Sequence, residues 1–257
     1  MKIGVRAGTG SVDGMALNDA QIVTILDRTV AVADPILDVL AHSDPFDLKR
    51  RTHARLLDRL PLSPGNAAVA ALQAADWPGT AGWDALSMNE RADWWVDRIG
   101  AVNTVAVAFP SMFGAWTRKV PIGAFLGAAS QALMVLAVGR EYGVVDRAEQ
   151  IAMLGSVLFG REVSAACAKP AVRQEFPEDG SALAKAVLKG LWDIAWGLRS
   201  LDKALGERPQ APRLISSLMW LPLVGGPAAY LGERVALCRA VGASRQWIVD
   251  HRAAIDV

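Results

Sequence analysis

The chain has 257 residues, 52% of them hydrophobic and 21% charged, with nine Trp against six Phe and two Tyr. A composition this apolar excludes a disordered or collagen-like chain. The 27 basic and 26 acidic residues nearly cancel, so no global field recruits nucleic acid, and two cysteines cannot form a disulfide framework in a chain of this length.

Glycines at 4, 8, 10 and 14 open the chain without the apolar stretch that an export signal requires. The expectation is a cytoplasmic protein with reduced thiols and a flexible first 14 residues. Residues 15–75 read as three modest amphipathic helices of mixed charge. In this part Asp34-Pro35 and Asp44-Pro45 each suggest a helix cap followed by a first-turn proline, which loses no useful donor there. A helix from about Pro45 would place Leu48, Leu56, Leu57 and Leu60 on one side and Lys49, Arg50, Arg51, Arg55 and Arg59 around the rest. Such a helix lies on an anionic membrane or is an ordinary solvated face.

Ser87 and Glu90 have the spacing of a capping box. A composition shift at this point divides an amino-terminal appendage, residues 1–86, from an apolar helical core, residues 87–257. Three charge-free runs follow: Ile99 to Thr117 with 19 residues, Val120 to Gly139 with 20, and Leu214 to Gly232 with 19. These reach the length that crosses a bilayer, although Pro and Gly interrupt them and positive charge flanks both ends of the first two. They are therefore spanning helices, embedded hairpins or a buried soluble core. Trp94 and Trp95 precede the first run, Trp116 closes it, and Trp220 lies in the third, positions that suit a lipid–water boundary or aromatic packing. Pro121 and Gly123 break the chain before one apolar helix, and Pro222, Gly225 and Gly226 before another, which suggests two tight helical hairpins.

Asp146 and Glu149 repeat the capping-box spacing before Ile151. From Ser181 to Leu205, Leu183, Val187, Leu191, Ile194, Leu198, Leu201 and Leu205 form a stripe on one face. Lys185, Lys189, Arg199 and Lys203 fall on the wet side, and Trp192 and Trp196 read as packing residues beside the stripe. Together these segments predict an all-α bundle of about eight helices built from helical hairpins.

The run Leu133-Met134-Val135-Leu136-Ala137, then Arg140-Glu141-Tyr142-Gly143, then Ile151-Ala152-Met153-Leu154 ending at Phe159-Gly160, resembles the middle of the EcsC-like family. Leu221-Pro222-Leu223-Val224-Gly225-Gly226, running into Tyr230 and Val235, is similar to that family's carboxy-terminal hairpin. The resemblance spans about residues 90–250 and departs from the family in its short polar stretch, only Arg140-Glu141, before the Tyr-Gly turn. It implies an α-helical, membrane-associated bacterial protein and supplies no catalytic residues.

No residue pattern identifies a reaction. Gly8-Thr9-Gly10 with Gly14 misses dinucleotide-loop spacing, and His42, Asp44 and Asp47 lack further ligands at metal spacing. No catalytic residue, metal or cofactor is expected. The leading expectation is a non-enzymatic helical protein, peripheral on or embedded in the cytoplasmic membrane, an accessory to transport, secretion or envelope lipid handling. The alternative is a soluble helical enzyme or a lipid or small-molecule binder, with Asn103, Gln131, Glu141 or Tyr142 in an apolar cavity. A helical subunit that buries its runs against a protein partner or a second copy is the third.

Overall fold

In the computed structural model the described residues are 19–42, 44, 48–53, 70, 74–100, 122–165, 170–177, 180–205 and 225–252. They form helices α1 (Asp19–His42), α2 (Leu48–Thr52), α3 (Ala81–Ala85), α4 (Met88–Trp94), α5 (Ile122–Glu141), α6 (Arg147–Phe159), α7 (Gly180–Leu205) and α8 (Gly225–Arg252). A π-helical turn, Trp95–Ile99, continues α4. No strand occurs among the described residues, so the fold is an all-α multi-helix bundle.

The bundle is arranged around α5, which contacts α1, α4, α6, α7 and α8. Its sequence explains that place. From Gln131 to Val138 every residue is at most 4% exposed, a helix covered all round rather than on one stripe. The charge-free run Val120 to Gly139 is thus largely the axis of the core, and no helix among the described residues is long and apolar enough to cross a membrane. Most of the other two runs lies outside the described residues. α1 comes from the part expected as an appendage, yet Ile22, Leu26, Ile36 and Leu37 belong to the same core as α5.

Helix ends follow local chemistry in several places. The Ser87 side chain accepts from the Glu90 amide while the Glu90 carboxylate accepts from the Ser87 amide, a complete capping box. Those hydrogen bonds hold the Glu90 carboxyl below its ordinary range. Asp146 accepts from the amides of Ala148 and Glu149 at the start of α6, and Gly160, with φ of 61°, closes it in the left-handed conformation that glycine adopts freely. The two apolar helices begin at the expected hairpin breaks. Gly123 lies in the first turn of α5, Gly225 and Gly226 lie in the first turn of α8, and Pro121 and Pro222 are outside the described residues.

At Asp34-Pro35 the expectation of a cap is corrected, because α1 runs through it and buries Pro35. A proline within a helix has no N–H for the carbonyl four residues earlier. Here that carbonyl, Ala31 O, accepts from the Gln174 amide at 3.0 Å. The tertiary contact replaces the missing helical bond and docks residues 170–177 as a strap along α1.

Candidate functional site

The most distinctive surface of the described residues is the outward side of α7. Leu188, Trp192 and Trp196 recur every four residues and are 62%, 37% and 63% exposed. Lys185, Lys189, Asp193 and Arg199 are exposed around them. Trp192 and Trp196 were expected as packing residues; they stand instead at the surface. The reason is angular. Each precedes a buried residue, Ile194 or Leu198, by two positions, about 200° around the helix. That offset was legible in the sequence, since the leucine stripe already fixed the buried face.

The stripe borders a groove of about 610 Å³ between α1, α7 and the strap. Ile25, Arg28, Thr29 and Val32 form its α1 wall, at the spacing that puts residues on one helical face. Val172, 92% exposed at the strap, forms its rim. Two glycines, seven positions apart, let the helices approach. A Cβ at Gly190 would lie 2.8 Å from Val32 Cγ1, and one at Gly197 would lie 3.2 Å from Ile25 Cγ2. Gly197 itself lines the groove.

The strap is held by carboxylates that α1 projects toward arginines. Asp27, nearly buried, pairs with Arg147 and also accepts from the Ala171 amide. Arg173 of the strap pairs with Asp34 at 3.0 Å and with Asp38, and Arg140 of α5 also pairs with Asp38. The Gln150 side chain donates to Asp34 and to the Val144 carbonyl. Charge-assisted bonds of this kind fix geometry as well as adding stability. They hold the strap's Ala171 and Val172 in place as a groove wall.

The residues expected to touch lipid are distributed differently. Trp94 and Trp95 are 6% and 3% exposed and lie in the core, not at a boundary. Trp94 is the hub of an edge-to-face cluster, with ring centroids 5.3 Å from each of Trp77, Trp83 and Trp95. Its indole N–H donates to the Ala75 carbonyl, and that of Trp95 donates to Glu141. The polar edge that would anchor these rings at a wet interface is satisfied internally.

Lys49 is also corrected. Its side chain is buried, and Nζ donates to the carbonyls of Leu40 and Ala41 at 3.0 and 2.8 Å. It satisfies carbonyls at the end of α1, where a helix leaves acceptors unpaired and favours a cation. Burial lowers its pKa to about 8, with Asp44 opposing that shift. The Asp44 carboxylate in turn accepts from the amides of Lys49 and Arg50, five and six residues on, so it caps α2, Leu48–Thr52, and not the helix expected from Pro45. Arg50 is exposed and Arg51 half-buried, while Arg55, Arg59, Trp116 and Trp220 lie outside the described residues.

The polar residues suggested for an apolar cavity do not converge. Glu141 receives Trp95, Tyr142 donates to Asn89 at 2.6 Å, and Gln131 is buried in α5 with its Oε1 lacking a hydrogen-bond partner. Asn103 lies outside the described residues. Among the described residues no group of three His, Cys, Asp or Glu could hold a metal ion, and Cys238 is a free, exposed thiol. No family model, curated protein or solved structure matches the chain.

Proposed function

We propose that this chain is a non-enzymatic, membrane-associated helical protein that meets the cytoplasmic face of a bacterial membrane through the outward side of α7. The observation that carries the reading is the exposed Leu188, Trp192 and Trp196 stripe with Lys185 and Arg199 beside it and Lys189 paired with Asp193. Indole rings favour the headgroup boundary, and basic side chains around an apolar strip add attraction to anionic lipid. Contiguous apolar exposure of this kind marks an interaction surface more often than chance scatter does. The EcsC-like resemblance supports the same reading and suggests an accessory role in transport, secretion or envelope lipid handling. The charge-free run in α5 is used for the core, which favours a peripheral contact through α7 over one made by that helix.

Co-sedimentation with phosphatidylglycerol-containing vesicles tests this. Wild-type protein binds at low salt and is released as salt rises, and the triple variant L188S/W192S/W196S loses binding while remaining folded. Absence of vesicle binding by the wild type, or binding unchanged in the triple variant, overturns the proposal.

A further inference from the structure

We infer that the groove between α1 and α7 is a binding site for a small amphiphilic anion, with its apolar body on Trp192, Trp196 and Ile25 and its carboxylate or phosphate on Arg28. The inference rests on the reading of this face as the lipid-facing one, and names the molecule that the face would hold. The groove is lined mainly by apolar side chains, and its volume of about 610 Å³ lies within the range of ligand sites. From Ile25 to Val32 the α1 wall runs seven residues, about 10 Å. Arg28 stands between those two residues in sequence on the same wall, and Trp192 and Trp196 line the groove with it.

The polar groups of the groove indicate the charge of the occupant. The Thr29 hydroxyl is already used, donating to the Ile25 carbonyl at 2.9 Å. The Asp193 carboxylate is neutralised by Lys189 at 3.1 Å. Arg28, which is exposed, meets no acidic side chain among the described residues. Its neighbour Asp27 is committed to Arg147 and to the Ala171 amide of the strap. Arg140, Arg147 and Arg173 are each seated on α1 carboxylates, so the arginine that faces the groove differs from those that build the fold. A guanidinium beside apolar and indole walls complements a molecule with one anionic group and a hydrocarbon body. Gly197 lines the groove and lets α7 come close to Ile25 there.

Isothermal titration without vesicles, at amphiphile concentrations below micelle formation, tests the inference. The probes are dodecanoate, dodecyltrimethylammonium and inorganic phosphate. Dodecanoate is expected to bind saturably, one per chain, with the cationic amphiphile at least about tenfold weaker and phosphate alone undetectable. R28Q raises the dodecanoate Kd about tenfold with thermal unfolding unchanged, because an exposed arginine without a described partner does not hold the fold. W192A/W196A weakens both amphiphiles. Equal binding of the two amphiphiles, an R28Q variant indistinguishable from wild type, or no saturable dodecanoate binding overturns the site. Self-association that buries the groove without any amphiphile binding also overturns it. Vesicle binding with no dodecanoate binding leaves the peripheral-membrane reading standing and removes this one, and the reverse pattern does the opposite.

Discussion

Trp94-Trp95 and Trp192-Trp196 are pairs of the same side chain in opposite surroundings. The first pair is buried with both indole N–H groups satisfied by Ala75 and Glu141, and its rings pack edge to face with Trp77 and Trp83. The second pair rises from the outward side of α7 beside a groove that contains an arginine. An indole carries a large apolar area and a single donor. Where the fold supplies an acceptor and neighbouring rings, it is a core residue; where the helix turns it away from the core, much of it stays exposed.

Substitution distinguishes the two pairs most sharply through stability. Trp94→Ala is expected to cost about 3–5 kcal/mol, since it empties the hub of the cluster, whereas Trp196→Ala, 63% exposed, costs under about 1 kcal/mol and Trp192→Ala, 37% exposed, an intermediate amount. Urea unfolding of the single variants measures this. Equal costs for the buried and exposed pairs would remove the distinction. Asp27→Asn keeps the shape but loses the charge that meets Arg147 and the Ala171 amide, and is expected to cost about 2 kcal/mol. Amide exchange should then quicken through residues 170–177, the strap beside the exposed pair, before it quickens in α5.

Glycine substitutions test the crossing that sets the second pair beside α1. Gly190→Ala places a methyl against Val32, so α7 has to shift, at a cost of about 1–3 kcal/mol that outweighs the gain in helix propensity. Gly242→Ala in α8 meets nothing within 4 Å and is expected to stabilise by about 0.5–1 kcal/mol. Thermal melts that give both substitutions the same sign contradict the close approach. A pH-dependent effect concerns Lys49, whose pKa falls from 10.5 to about 8 on burial. Between those values the unfolded chain binds more protons than the folded one, so this residue's contribution rises with pH across the window. Wild type minus Lys49→Met, followed by denaturant unfolding from pH 7 to 11, should show that rise; a flat difference contradicts the buried ammonium.

Local chemistry made much of the bundle legible. The leucine stripe predicts α7 from Ser181 to Leu205, and the helix spans Gly180–Leu205; Ser87 and Asp146 cap as their spacing suggests. Features with distant partners were not legible. Pro35 reads as a helix start because nothing nearby replaces its missing N–H, and the Gln174 amide that occupies the freed carbonyl lies far along the chain. Lys49 reads as a surface cation because its partners are carbonyls at the end of another helix. Charge-free length alone did not separate core from lipid, and for α5 the answer lay in the helices around it. Trp192 and Trp196 are a different case. Their offset from the buried stripe was available, but their size made packing the easier inference.

The most direct measurement uses fluorotryptophan-labelled protein, with the resonances of Trp94, Trp95, Trp192 and Trp196 assigned by single Trp→Phe substitutions. Anionic vesicles containing a paramagnetic lipid are then added. If α7 meets the membrane, Trp192 and Trp196 broaden strongly while Trp94 and Trp95 do not. Uniform broadening of the four, or none in the α7 pair, would contradict the assignment of that surface.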